Sequence, residues 1–181
     1  GFGDCCSELL YDDPVIGRNF QGTSPVRNYS PGQPEDPYPC AGSCGGEVHC
    51  CGEILGGFWW DVREQFGVAY GSAPGLTEVQ QLFVDWSQIT NGGSGSNSAH
   101  PQTIIEMLTV DDNDGNINNG TPNYALICAA ASAHSIPCPA LSLVTFEFPS
   151  GLPALLTPSS PTNIAVNVVA VAGTPTPGSG T

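Results

Sequence analysis

Apolar residues recur along this chain at helical spacing as far as about Ala133, and past Pro139 they change to the two-residue spacing of strands. The segment from Asp4 to Tyr11 sets Leu9, Leu10 and Tyr11 behind Cys5 and Cys6, and Pro14 stops it, which predicts the end of a helix. A long loop rich in Pro, Gly, Ser and Asn follows, from Gly17 to Gly46, carrying Cys40 and Cys44. Val48 to Phe66 then places Val48, Cys51, Leu55, Phe58, Trp59 and Val62 on one face, leaving Asp61, Arg63 and Glu64 for the wet side. This predicts the central helix. Its Gly52, Gly56 and Gly57 each cost about 1 kcal/mol of helix propensity against alanine, so another backbone or a ligand is expected close to that face.

Thr77 predicts the cap of a third helix, with Glu78, Val79, Leu82, Phe83 and Trp86 repeating until Asn91. After a Gly and Ser loop, Gly92 to Ser98, His100-Pro101 opens a fourth helix through Leu108. Thr121-Pro122, a cap followed by proline at the first helical position, opens a fifth through Ala133. The alternation of Leu141, Val144, Phe146 and Phe148, and of Ile164, Val166 and Val168, predicts strands, before a Pro, Thr, Gly and Ser tail from Gly173. The fold class is therefore mainly α, about five helices with long disulfide-tied loops, followed by a short β tail. Residues 1–139 form the helical lobe; residues 140–181 form a strand tail, a linker or a partial β-sandwich such as the start of an immunoglobulin-like domain. No repeat occurs at a solenoid period.

Composition narrows the partners. Of 181 residues, 17 are acidic and 3 basic, all arginine, and the net charge of -14 repels both nucleic acid and anionic membrane surfaces. The longest apolar stretches, Ala125 to Ala133 and Ile164 to Ala172, fall short of the roughly 20 residues of a membrane helix. Gly1-Phe2-Gly3-Asp4 lacks the basic start and apolar centre of a signal peptide and reads as interior sequence. Eight cysteines without a single lysine point to an oxidising, secreted or cell-surface location, where disulfides rather than zinc account for the sulfur; no CxxC pair occurs. Cys128 with Cys138 is the expected local bridge. The doublets Cys5-Cys6 and Cys50-Cys51 are expected to link the first and central helices to each other or to the loop of Cys40 and Cys44.

Chemistry centres on His49, four residues before Glu53 and on the same helix face. Only His100 and His134 accompany it, and neither an HExxH helix nor a GxSxG elbow is present. Two motifs carry a resemblance. Gly1-Phe2-Gly3-Asp4 resembles the stretch just after the third zinc ligand of thermolysin- and fungalysin-type (gluzincin) metallopeptidases. Val48-His49-Cys50-Cys51-Gly52-Glu53-Ile54 resembles that family's downstream Val-His helix entrance. The run from Asp111-Asp112-Asn113-Asp114-Gly115-Asn116 to Asn119-Gly120-Thr121-Pro122-Asn123 resembles a turn of secreted fungalysin-like proteins. The likeness covers roughly residues 1 to 138. It implies a helical C-terminal lobe, Asp4 as the carboxylate that orients a zinc-bound histidine, and His49 as the donor to the oxyanion of the tetrahedral intermediate. The HExxH helix and third-ligand Glu of the family would precede Gly1, so zinc enters only with an upstream half.

Asp111, Asp112, Asp114 and Asn116 offer hard oxygen ligands suited to Ca²⁺, although the EF-hand register puts Val110 at its first position; the alternative is a solvated acidic turn leading into the Thr121 cap. Trp59, Trp60 and Trp86 read as core rather than a sugar platform. Asn28-Tyr29-Ser30 is a glycosylation sequon on a loop, Asn119-Gly120-Thr121 a second, and the Ser and Thr of the tail are candidates for O-glycans. Two functions follow. The first is an extracellular, non-catalytic building block, fibre-like or at the cell surface, which self-associates through residues 141–181 by strand addition. The alternative is the C-terminal part of a secreted zinc metallopeptidase acting on peptides.

Overall fold

The structure is a computed structural model, and it describes residues 1–20, 22–33, 37–91, 99–142, 144–151 and 164–170. The chain is mainly helical. In order come α1 (Phe2–Tyr11), a two-residue ladder of β1 (Val15–Ile16) and β2 (Arg27–Asn28), α2 (Cys40–Ser43), α3 (Val48–Tyr70), α4 (Ser72–Ile89), α5 (Ala99–Asp111), a 3-10 turn (Ile117–Asn119) and α6 (Tyr124–Ala133). An antiparallel pair, β3 (Val144–Glu147) and β4 (Asn167–Ala170), closes the described part. The Gly92 to Ser98 loop and the tail from Gly173 lie outside the described residues.

α3 is the axis because it is apolar on more than one side: Ile54, Phe58, Trp59, Val62 and Phe66 are all buried, and α1, α4 and α6 pack around it. Trp59 meets Phe83 edge-on at 5.0 Å and Trp86 at 5.3 Å, so these tryptophans are core side chains. The helix starts on Glu47, whose carboxylate accepts the backbone N–H groups of His49 (3.0 Å) and Cys50 (2.8 Å). Those bonds hold the Glu47 carboxyl below its usual range. The glycines of α3 do mark close approaches, mostly by rings. A Cβ on Gly57 would stand 2.6 Å from the His134 imidazole, one on Gly56 would strike the Tyr29 ring, and one on Gly52 would come within 2.5 Å of the Gly1 backbone.

Three helix starts differ from the sequence expectation. α1 runs from Phe2, and Asp12 closes it in the left-handed conformation while its carboxylate takes the Arg63 guanidinium. α4 begins at Ser72 rather than at Thr77, because Pro74 and Gly75 fall in its first turn, where a missing N–H costs nothing. Thr77 lies inside, its hydroxyl donating to the Ala73 carbonyl at 3.2 Å. α6 begins at Tyr124, and its start is held from α5: Asp111 accepts the Asn123 N–H (2.7 Å), the Asn123 amide (2.6 Å) and the Thr121 hydroxyl.

Three disulfides tie the loops, Cys40–Cys51 and Cys44–Cys50 clipping α2 to the first turn of α3 and Cys128–Cys138 folding the chain back along α6. Cys5 and Cys6 are free thiols, one buried and one exposed. The expected bridge from α1 is absent because both partners in the Cys50-Cys51 doublet are already taken by α2.

In the β tail, Phe146 pairs with Val168 and Glu147 with Asn167. The two predicted strand segments thus pair with each other. Phe146, Phe148, Val166 and Val168 share the alternating positions of one face and are all exposed.

Candidate functional site

The two residues singled out by resemblance lie where the start of α1 meets the first turns of α3, at the close approach of Gly1 to Gly52. Asp4 is on the inner side of α1. Its Oδ2 accepts the Tyr29 hydroxyl at 3.1 Å and faces Arg27 Nη1 at 3.2 Å. Arg27 Nε in turn donates to Glu53 Oε1 at 2.8 Å, so one guanidinium joins a carboxylate of α1 to one of α3. Tyr29 is buried, and burial first, then Asp4, keeps its hydroxyl protonated far above the usual range. His49 stands one turn before Glu53 on the exposed entrance of α3. Although His49 and Glu53 share a helix face, no bond between them is found among the described residues, and Glu53 is turned to Arg27. No hydrogen bond from the His49 ring is found among the described residues, so the imidazole is open to solvent.

Behind Asp4 lie two groups that the sequence reading passed over. Cys5 and Glu8 are fully buried, and burial pushes the Cys5 thiol well above its ordinary value, with Glu8 adding to the effect. Glu8 sits beside Leu9 in the buried arc of α1, so the helical periodicity was the signal for it. Arg27 and Tyr29 carry no such signal, since they reach Asp4 from a loop 23 and 25 residues away.

The three histidines do not converge among the described residues. His100 is buried with Nε2 2.9 Å from the Cys51 carbonyl, and His134 is buried with Nε2 3.2 Å from Asp61 Oδ2, while His49 is exposed. Among the described residues no three His, Cys, Asp or Glu side chains gather in a way that could hold a metal ion.

Three residues of the acidic loop accept protein donors. Asp111 holds the start of α6, Asp114 accepts the Asn116 N–H (3.0 Å) and the Asn119 amide (2.7 Å), and Asn116 accepts the Asn118 N–H (3.2 Å). Asp111, Asp114 and Asn116 thus accept protein donors, while the buried Oδ1 of Asp112 has no hydrogen-bond partner among the described residues. No protein-family model matches the chain, and no match is found among curated proteins or solved structures.

Two surface features lie at β1 and β2. Asn28 lies in β2, and its side-chain oxygen accepts both the N–H (3.0 Å) and the hydroxyl (2.6 Å) of Ser30, the third residue of its own sequon. A cleft of about 260 Å³ between Val15, Arg18, Asn19, Thr23, Pro25 and Asn28 adjoins it. Arg18 there is engaged at both ends by Asp13, and the cleft offers no nucleophile or base pair.

Proposed function

We propose that this chain is the helical lobe of an extracellular zinc metallopeptidase of the thermolysin and fungalysin type, inactive alone. It would present His49 and Asp4 to a metal site whose ligands lie outside these 181 residues. The observation that supports this is the corner itself. The start of α1 and the entrance of α3 touch, Arg27 bridges Asp4 to Glu53, and the exposed His49 is one turn away. A positioned carboxylate and an open imidazole at one end of two packed helices are what orientation of a ligand histidine and stabilisation of an oxyanion require. Zinc, when bound by the missing half, would polarise the substrate carbonyl. The lobe's own contribution is an N–H donor from His49 and the Asp4 carboxylate, which Arg27 holds in place. The three disulfides and the lack of any helix long and apolar enough to cross a membrane among the described residues suit an extracellular protein.

The test is peptide hydrolysis by the chain alone and by the product of the longer coding region. The expected result is none from the first, with or without zinc, and chelator-sensitive cleavage from the second. In the active form His49→Ala should lower kcat by about 10² to 10³ with little change in KM, the loss of one oxyanion donor. Zinc-dependent cleavage by the isolated chain, or an unchanged kcat in the variant, overturns the reading.

A second reading, a structural subunit that associates through its tail, is favoured by the exposed apolar face of β3 and β4 and by charge. Glu147 is the one charged residue after position 140 in a chain of net charge -14, so repulsion between copies is weakest there.

A further inference from the structure

Glu8 is one of the most deeply buried side chains in the molecule, and neither of its carboxyl oxygens meets a hydrogen-bond partner among the described residues. An ionised carboxylate is the costliest group to bury without a donor or a cation. Arg27, which could have neutralised it, is committed to Asp4 at 3.2 Å and Glu53 at 2.8 Å. We propose that Glu8 is stored in the folded lobe as a neutral acid and makes the docking of α1 on α3 acid-favoured, so that α1 loosens as the medium passes from mildly acidic to alkaline.

The surroundings agree from every side. On α1, Asp4 disfavours a second negative charge one turn away, the Cys5 thiol is neutral, and only the Gly1 amine pulls the other way. Tyr29, beyond β2, is protonated and already donates to Asp4. On α3, Glu53 is held by Arg27, and Arg63 is held by Asp12 past the end of α1. α4 meets this helix through a neutral amide, Gln80 Nε2 donating to the Leu9 carbonyl at 2.7 Å. Burial, reinforced by Asp4, raises the Glu8 carboxyl to about 9.

The sign follows from proton counting. An unfolded chain ionises this glutamate near pH ~4.3, whereas the folded chain keeps the proton to about 9. Across that window the native state holds the extra proton, so stability falls as pH rises and levels off once both states are ionised. Because α1 carries Asp4, presentation of that carboxylate follows the same dependence, whether or not the lobe serves a peptidase.

Chemical denaturation of the chain and of Glu8→Gln, run from mildly acidic to alkaline pH, reads the effect. The ratio of the two unfolding constants should move against the wild type by up to about tenfold per pH unit and flatten above pH ~9. Parallel pH profiles would overturn the proposal. Should the Gln variant not fold, carboxyl ¹³C NMR of the wild-type chain decides. A Glu8 resonance that stays at the protonated-acid position across neutral pH and moves only in the alkaline range supports a stored acid, and one that titrates in the ordinary carboxylate range rejects it.

Discussion

Phe58 and Trp59 of α3 are completely buried, whereas Phe146 and Val168, paired across β3 and β4, remain 59% and 65% exposed. The side chains are of the same kind, and hydropathy alone would place all four inside. What differs is the number of surfaces on offer. α3 is met by α1, α4 and α6, and a long helix between three others removes apolar side chains from water on every side. Among the described residues each strand of the ribbon has one neighbour, which satisfies one row of backbone groups and leaves Phe146, Phe148, Val166 and Val168 exposed. Burial is set by the availability of partners, and the lobe supplies its own while the ribbon does not.

The sharpest way to break this contrast is Trp59→Ala. Its ring is the centre of the aromatic cluster with Phe58, Phe83 and Trp86, and the lobe cannot collapse onto the space left behind. The expected loss is about 3–5 kcal/mol, read by denaturant unfolding. Phe146→Ala, with a ring of similar kind, should cost the lobe nothing measurable. Comparable losses from the two substitutions would mean that the ribbon packs on the lobe.

Helices and core were legible in the sequence because their apolar positions repeat at three and four over long stretches, as in Val48 to Phe66 and Val79 to Trp86. Their starts were less so. Thr77 looked like a cap and is an interior residue, since Pro74 fits the first turn of α4. Thr121 likewise looked like a cap, yet the group that holds α6 is Asp111, ten residues earlier on another helix. At the candidate site His49 and Asp4 were singled out by the resemblance of short motifs, and what the structure adds is that both lie where α1 meets α3. Arg27 and Tyr29 carried no such signal, because contacts made to α1 from 23 and 25 residues downstream leave no periodic trace, whereas the burial of Glu8 follows from the periodicity of α1. The cysteine count correctly pointed to bridges, but eight cysteines allow many pairings, and only the folded collar of α2 on α3 shows why Cys5 and Cys6 are left out.

A smaller effect is expected at the joint between the two regions. Asp111 holds Thr121, which is almost wholly buried, together with both nitrogens of Asn123, and the adjoining 3-10 turn accepts the Ser142 N–H on Asn118 at 2.7 Å. Asp111→Ala strips the start of α6 of its acceptor and leaves the Thr121 hydroxyl unsatisfied. The expected cost is about 1–2 kcal/mol in denaturant unfolding. A loss near zero would show that water replaces the carboxylate and that the turn is not a structural joint.

The smallest effect should come from removing the ribbon altogether. Ending the chain after Ser142 keeps the bond to Asn118 and the contact of the Tyr124 hydroxyl with the Pro139 carbonyl, and removes the β3–β4 pair. With none of the lobe's core side chains touched, the unfolding free energy should change by less than about 0.5 kcal/mol, the range of surface substitutions away from special features. Light scattering of the same pair measures whether the exposed face finds a partner of its own. If the full chain is larger than a monomer and the shortened one is not, the apolar positions Phe146, Phe148, Val166 and Val168 are covered between copies, and the ribbon is complete only in an assembly. If both are monomers and the lobe is unchanged, the ribbon contributes to neither stability nor association, and the structural-subunit reading is lost while the peptidase-lobe reading is untouched. A shortened chain that is destabilised by more than about 1 kcal/mol would show instead that the tail belongs to the lobe, and the contrast between the two regions would fail.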